Sequence, residues 1–204
     1  MNYPDFPTSK KILDRLGPEF VNAYIKAVDA AREDYKSLQT WQPDWLPSYA
    51  KRTIACFIHD RIWYHLCSQI AESEQTTITD KDPTREIRIG LGLRLRIKRH
   101  TYDDKISNVP TQTVIDYFEN AMPTFDGMEE VCLALGYYWI KDQHAIGEPA
   151  LSFHNRFNEP VWSVKLKTDE EASVGYVSWP GEVPELPDMD INSIVAEFKE
   201  EKES

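Results

Sequence analysis

Arg88, Arg94, Arg96, Lys98 and His100 share one phase of a strict period-two run, Arg85–His100, which reads REIRIGLGLRLRIKRH. On an extended strand they form a row of cations about 7 Å apart, two residues of strand rise. Arginine suits oxyanion recognition because its planar fork binds phosphate or carboxylate bidentately. Gly90 and Gly92 fall in the same phase, where missing side chains let a ligand approach the backbone. Further on, Thr111 and Gln112 follow Pro110 at an expected helix start, where free backbone N–H groups favour anions. If that helix start and the strand converge, Arg94, Arg96, Lys98, His100, Thr111 and Gln112 make one anion- or partner-binding corner. The plainer reading is a strand face that is solvated or paired with carboxylates, with Thr111 and Gln112 serving only the helix end.

A second constellation is His59-Asp60, with Arg61 and His65 close behind. His59 and His65 do not share a helix face, because six residues advance about 600°, which leaves them about 120° apart. The pair therefore reads as a bridge from helix to sheet, a second-tier site at most, and neither a metal nor a cofactor is expected. The nucleophile elbow, the Walker A loop and the dinucleotide fingerprint are all missing from the sequence. Cys56, Cys67 and Cys132 make an odd number without CxxC spacing, which suits reduced thiols in the cytoplasm.

These side chains must be positioned by the elements around them. Phe20, Val21, Tyr24, Val28, Ala31 and Tyr35 recur at helical spacing and predict a helix over Pro18–Ser37. Ser48 is a candidate N-cap for a second helix reaching about Glu74, with Ile54, Phe57, Ile58, Ile62, Leu66 and Ile70 inward. Trp41 and Trp45, set between prolines in the connecting loop, read as packing anchors. Residues 76–84 read as a polar link, and Pro110 opens a short helix. Glu130–Ile140, apolar on both sides, reads as a central strand, followed by strands over Ala150–Phe153 and Val161–Lys167. The expected fold is α+β: two long N-terminal helices packed on a mostly antiparallel sheet of about four strands, with a C-terminal helix from about Asp190.

Charge divides the chain of 204 residues unevenly. Its net charge is -11, but residues 169–204 hold 11 acidic and 2 basic residues and carry -9 of it. The expected organisation is one domain over residues 1–167 and an acidic extension over 168–204 with a short docking helix. That extension either solubilises the chain, folds over the basic row, or mimics nucleic-acid charge for a basic partner. No apolar run approaches the roughly 18 residues needed to span a bilayer, and the N-terminus has no apolar signal core, so a cytoplasmic protein without a membrane partner is expected.

The middle of the chain also carries a resemblance. Phe57-Ile-His-Asp60, Arg94–Arg99, Ser107-Asn-Val-Pro-Thr-Gln112, Leu135-Gly-Tyr-Tyr-Trp139 and the Trp162–Leu166 strand are laid out as in a family of small bacterial and phage-borne proteins of uncharacterised function. Members are typically encoded beside helix-turn-helix proteins that carry, or accompany, a zinc-peptidase domain. The resemblance implies a toxin–antitoxin or phage-regulatory pair, with this chain as the effector or partner of a helix-turn-helix regulator. Two other classes remain open: an enzyme acting on a phosphate-bearing or nucleic-acid substrate, and an acidic inhibitor that occupies a nucleic-acid site.

Overall fold

A computed structural model describes residues 6–70, 75–81, 84–90, 92–107, 109–118, 130–156, 159–168 and 174–178. The chain enters as helix α1 (Ser9–Trp41), interrupted at Gly17 (φ 77°) and resumed at Pro18, whose fixed φ suits a helix start. The expected Pro18–Ser37 helix is thus the longer part of a broken one. A short 3-10 turn, Leu46–Ser48, leads to α2 (Lys51–Gln69), which begins later than expected. Ser48 does not cap α2 because its hydroxyl donates to the Trp45 carbonyl at 2.6 Å. Trp41 and Trp45 are not buried anchors: they stand 68% and 46% exposed and pack edge-on against each other.

The sheet corrects the expected count of about four strands. Seven are present among the described residues: β1 (Thr76–Lys81), β2 (Thr84–Ile89), β3 (Leu93–His100), β4 (Val131–Ile140), β5 (Ala145–Arg156), β6 (Glu159–Thr168) and β7 (Val174–Ser178). They lie side by side in chain order, antiparallel throughout except for the parallel pair β3/β4. A parallel pair needs a long crossover, and the β3–β4 connection carries α3 (Gln112–Phe118). The segment read as a polar link is strand β1, paired residue for residue with β2. Its Thr76, Thr77, Ile78 and Thr79 are β-branched, a preference that outweighs their polarity at a sheet edge.

Arg85–His100 is a hairpin rather than one strand. Gly90 and Gly92 adopt positive φ (56° and 125°) and turn the chain between β2 and β3. β7 shows that the acidic extension begins by pairing with β6. The expected C-terminal helix from about Asp190 lies outside the described residues.

Alternation along the strands builds two layers. Ile87, Leu93, Leu95, Ile97, Leu133, Leu135 and Tyr137 join the side chains of α1 and α2 in the main core. The opposite phase of β4, Cys132 and Ala134, packs under Tyr117 and Phe118 of α3 in a second, smaller core. The helix pair therefore covers one face, and α3 covers part of the other.

Candidate functional site: a buried polar layer and an open cationic cleft

The face expected to present cations is buried under α3. Arg94 and Arg96 are only 5% and 9% exposed, and Glu86, beside them on β2, is 3% exposed. Its carboxylate accepts four hydrogen bonds: from Arg88 Nε (3.0 Å), Arg94 Nε (2.9 Å), Arg94 Nη2 (2.8 Å) and Arg96 Nε (3.0 Å). Glu130 takes a further bond from Arg94 Nη1 at 3.0 Å. Tyr117 closes the layer, with Arg96 stacked 3.9 Å from its ring centroid and its hydroxyl donating to the Arg94 carbonyl at 2.9 Å. A desolvated cation–π contact of this kind contributes about 2 kcal/mol. Burial pushes the Glu86 carboxyl upward, but hydrogen bonds from Arg94 and Arg88 and the surrounding guanidinium charge outweigh it, and the group stays below its ordinary value. Arg94 and Arg96 hold strands and helix together and are spent on internal partners, whereas Arg88 reaches Glu86 from an exposed position.

The layer continues into a histidine ladder. His100, Ser152 and His154 are fully buried, with Ser152 Oγ 2.8 Å from His100 Nε2 and 2.9 Å from His154 Nε2. Tyr138 packs against His100, lies 3.0 Å from Ser163 Oγ through its hydroxyl, and donates to Asp104 in the loop after β3. His100 is held at about 3, chiefly by burial and then by His154, against a backbone hydrogen bond with Lys98. Burial likewise holds His154 at about 4, against the Asp104 charge. Both rings are neutral when folded, whereas an unfolded histidine titrates near 6.5. Below pH 6.5 the unfolded chain binds more protons, so stability falls with acidification and continues to fall toward the folded values. At pH 5 the loss is about 2 kcal/mol for each histidine. Thermal melts at pH 7.5 and 5 should show it, and a transition that does not move would refute the neutral ladder.

The remaining predicted residues separate. Gln112 opens α3 and donates to Asp116 at 2.6 Å, while Thr111 is exposed. Among the described residues no hydrogen bond or ion pair joins Thr111 or Gln112 to the strand cations, and Arg94, Arg96 and His100 are taken up in the buried layer. His59 and Asp60 do act as a bridge to the sheet. Arg85 pairs with Asp60 and with Asp80 (2.9 Å), and Trp63 Nε1 donates to Asp80 at 2.9 Å, which ties α2 to β1 and β2. Burial and then the Arg85 charge lower the His59 pKa, which favours the neutral ring. Among the described residues no group of three or more His, Cys, Asp or Glu side chains could hold a metal ion.

An open site lies on the other face of β3, where α2 crosses the strand ends. A cleft of about 250 Å3 is bordered by Arg52, Cys56, His59 and Asp60 of α2, Lys98 and Arg99 of β3, Ser107 and Tyr137. Arg99 follows the apolar phase Leu93, Leu95, Ile97, so its side chain faces α2, and its Nη2 donates to Ser107 Oγ at 3.0 Å. Among the described residues every arginine except Arg15, Arg52, Arg99 and Arg156 is bridged to a carboxylate. Two of those four meet in this cleft. Lys98 borders it at the strand edge, though its position in the alternation is that of Arg94 and Arg96; burial, and then Arg96, lower its pKa to about 8.

Arg52, Arg99 and Ser107 were missed as site residues by the sequence reading. The available signal was Arg99, a cation at the position where the buried phase of the strand predicts another aliphatic residue. Fold and site together define an α+β protein with a mixed sheet and a cleft between α2 and β3 bordered by Arg52 and Arg99. Against family models, curated proteins and solved structures, the chain finds no match. No helix among the described residues is long and apolar enough to cross a membrane.

Proposed function

We propose that this chain is a binding protein, the effector or partner member of a two-protein bacterial or phage pair, and that it engages an anionic group through the cleft between α2 and β3. One observation carries the reading: among the described residues Arg52 and Arg99 have no carboxylate partner and border one opening, whereas Arg94 and Arg96 are neutralised internally by Glu86 and Glu130. Unpaired guanidinium groups at a concave surface retain the hydrogen-bonding capacity that paired ones have spent. The pairing with a regulator rests on the sequence resemblance alone.

Expression in a bacterial host tests both parts. Growth arrest is expected, relieved by co-expression of the neighbouring gene product. Arg52→Ala and Arg99→Ala should weaken partner or target binding about tenfold or more, since a hydrogen bond to a charged group is worth about 1.5–3 kcal/mol. Arg156→Ala, which removes an arginine outside the cleft with no carboxylate partner among the described residues, should change nothing. Arrest that is indifferent to both cleft substitutions, in variants with unchanged circular dichroism, would remove the cleft from the account.

A further inference from the structure

The shape and donor set of this cleft narrow what it can hold. We propose that it is a single-oxyanion site, taking one phosphate group, either inorganic phosphate or the terminal phosphate of a small monoester, rather than a run of nucleic-acid phosphates. This rests on the anion-binding reading above and specifies its ligand.

Size comes first. At about 250 Å3 the cleft falls below the roughly 300–1,000 Å3 of pockets that enclose drug-sized ligands, which leaves room for a single headgroup. The donors come next. Arg52 approaches from the helix wall and Arg99 from the strand wall, so the two forks do not stand side by side on one element. Ser107 Oγ accepts from Arg99 Nη2, which orients that guanidinium and leaves the serine proton available to a ligand. His59, with its lowered pKa, adds a neutral ring at the same opening. A carboxylate offers two oxygens and is satisfied by one guanidinium fork. A phosphate offers three or four, which matches donors arriving from separate walls. Asp60 also borders the cleft, but Arg85 engages its carboxylate and offsets its repulsion.

The surroundings disfavour a polyanion. Nucleic acid needs a line of open cations, because its affinity grows with the number of phosphates neutralised. Arg61, Arg85, Arg88, Lys165 and Lys167 are instead paired to carboxylates.

Titration calorimetry on the full chain at low salt, with inorganic phosphate, phenyl phosphate, acetate and an unphosphorylated 15-base oligonucleotide, tests the proposal. Phosphate and phenyl phosphate should each saturate one site, with acetate and the oligonucleotide at least tenfold weaker. Arg99→Gln should weaken phosphate at least tenfold without changing the melting temperature. Should that variant not fold, Arg52→Gln, exposed on α2, gives the same readout. Tighter binding of phenyl phosphate points to a monoester as the source, and equal binding points to the free ion. Acetate binding as well as phosphate would overturn the phosphate assignment and leave the anion cleft standing. Oligonucleotide binding with a steep salt slope, and no phosphate binding, would overturn it in favour of nucleic acid. Silence from all four probes would overturn both readings.

Discussion

Glu86→Ala is expected to cost about 3–5 kcal/mol of folding stability, the range for breaking a buried ion pair by removing one partner. The size follows from how many groups depend on one carboxylate. Glu86 accepts from Arg88, Arg94 and Arg96 at 2.8–3.0 Å, and among the described residues only Arg94 has a second carboxylate, Glu130. Without Glu86, Arg96 keeps the Tyr117 ring but no counter-ion, in a site only 9% exposed. Glu86→Gln keeps the volume and one acceptor oxygen while removing the charge, so it should fall between alanine and the native protein. Urea denaturation of the three proteins measures the order. An alanine variant within about 1 kcal/mol of native would mean that the arginines reach water, and the buried layer would be wrong.

Gly136→Ala should be comparably damaging for a steric reason. Gly136 faces Lys98 across the parallel β3/β4 pair, and a Cβ there would overlap the Lys98 carbonyl oxygen and the His100 ring. The carbonyl belongs to the stretch of β3 paired residue for residue with β4, and His100 is hydrogen-bonded to Ser152 in a fully buried site, so both resist moving aside. Overpacking typically costs about 1–3 kcal/mol, and overlap with backbone places this site at the upper end or beyond. Gly147→Ala is a useful comparison, since its Cβ would meet the Tyr138 carbonyl oxygen at 2.9 Å, a milder conflict. Equal melting temperatures for the Gly136→Ala variant and the native protein would contradict the tight β3/β4 contact.

The alternation of Arg85–His100 correctly marked Ile87, Leu93, Leu95 and Ile97 as buried, because a period of two is a local property of the strand. What covers the other phase is not local. Tyr117 lies 21 residues beyond Arg96 and reaches it only through the β3–β4 crossover, so the burial of the arginines could not be read from their spacing. Glu86, the lone acid of the run, was the clue: a single carboxylate among cations is more informative as their partner than as an exception. His154, expected in the hairpin link after Phe153, lies on β5 two residues from Ser152, a local spacing, but only the sheet order brings His100 to them. Among the candidate site residues, His59, Asp60 and Lys98 do come together at the cleft, whereas Arg94, Arg96 and His100 belong to the buried layer. Arg52 could not have been joined to them without the packing of α2 on β3.

Backbone amide shifts followed by NMR during titration with inorganic phosphate test the central claim most directly. The account predicts saturable changes confined to residues around Arg52–Asp60, Ile97–Arg99, Ser107 and Tyr137, absent in Arg99→Gln. Changes centred on Glu86, Arg94 and Tyr117, or none that saturate, would contradict it.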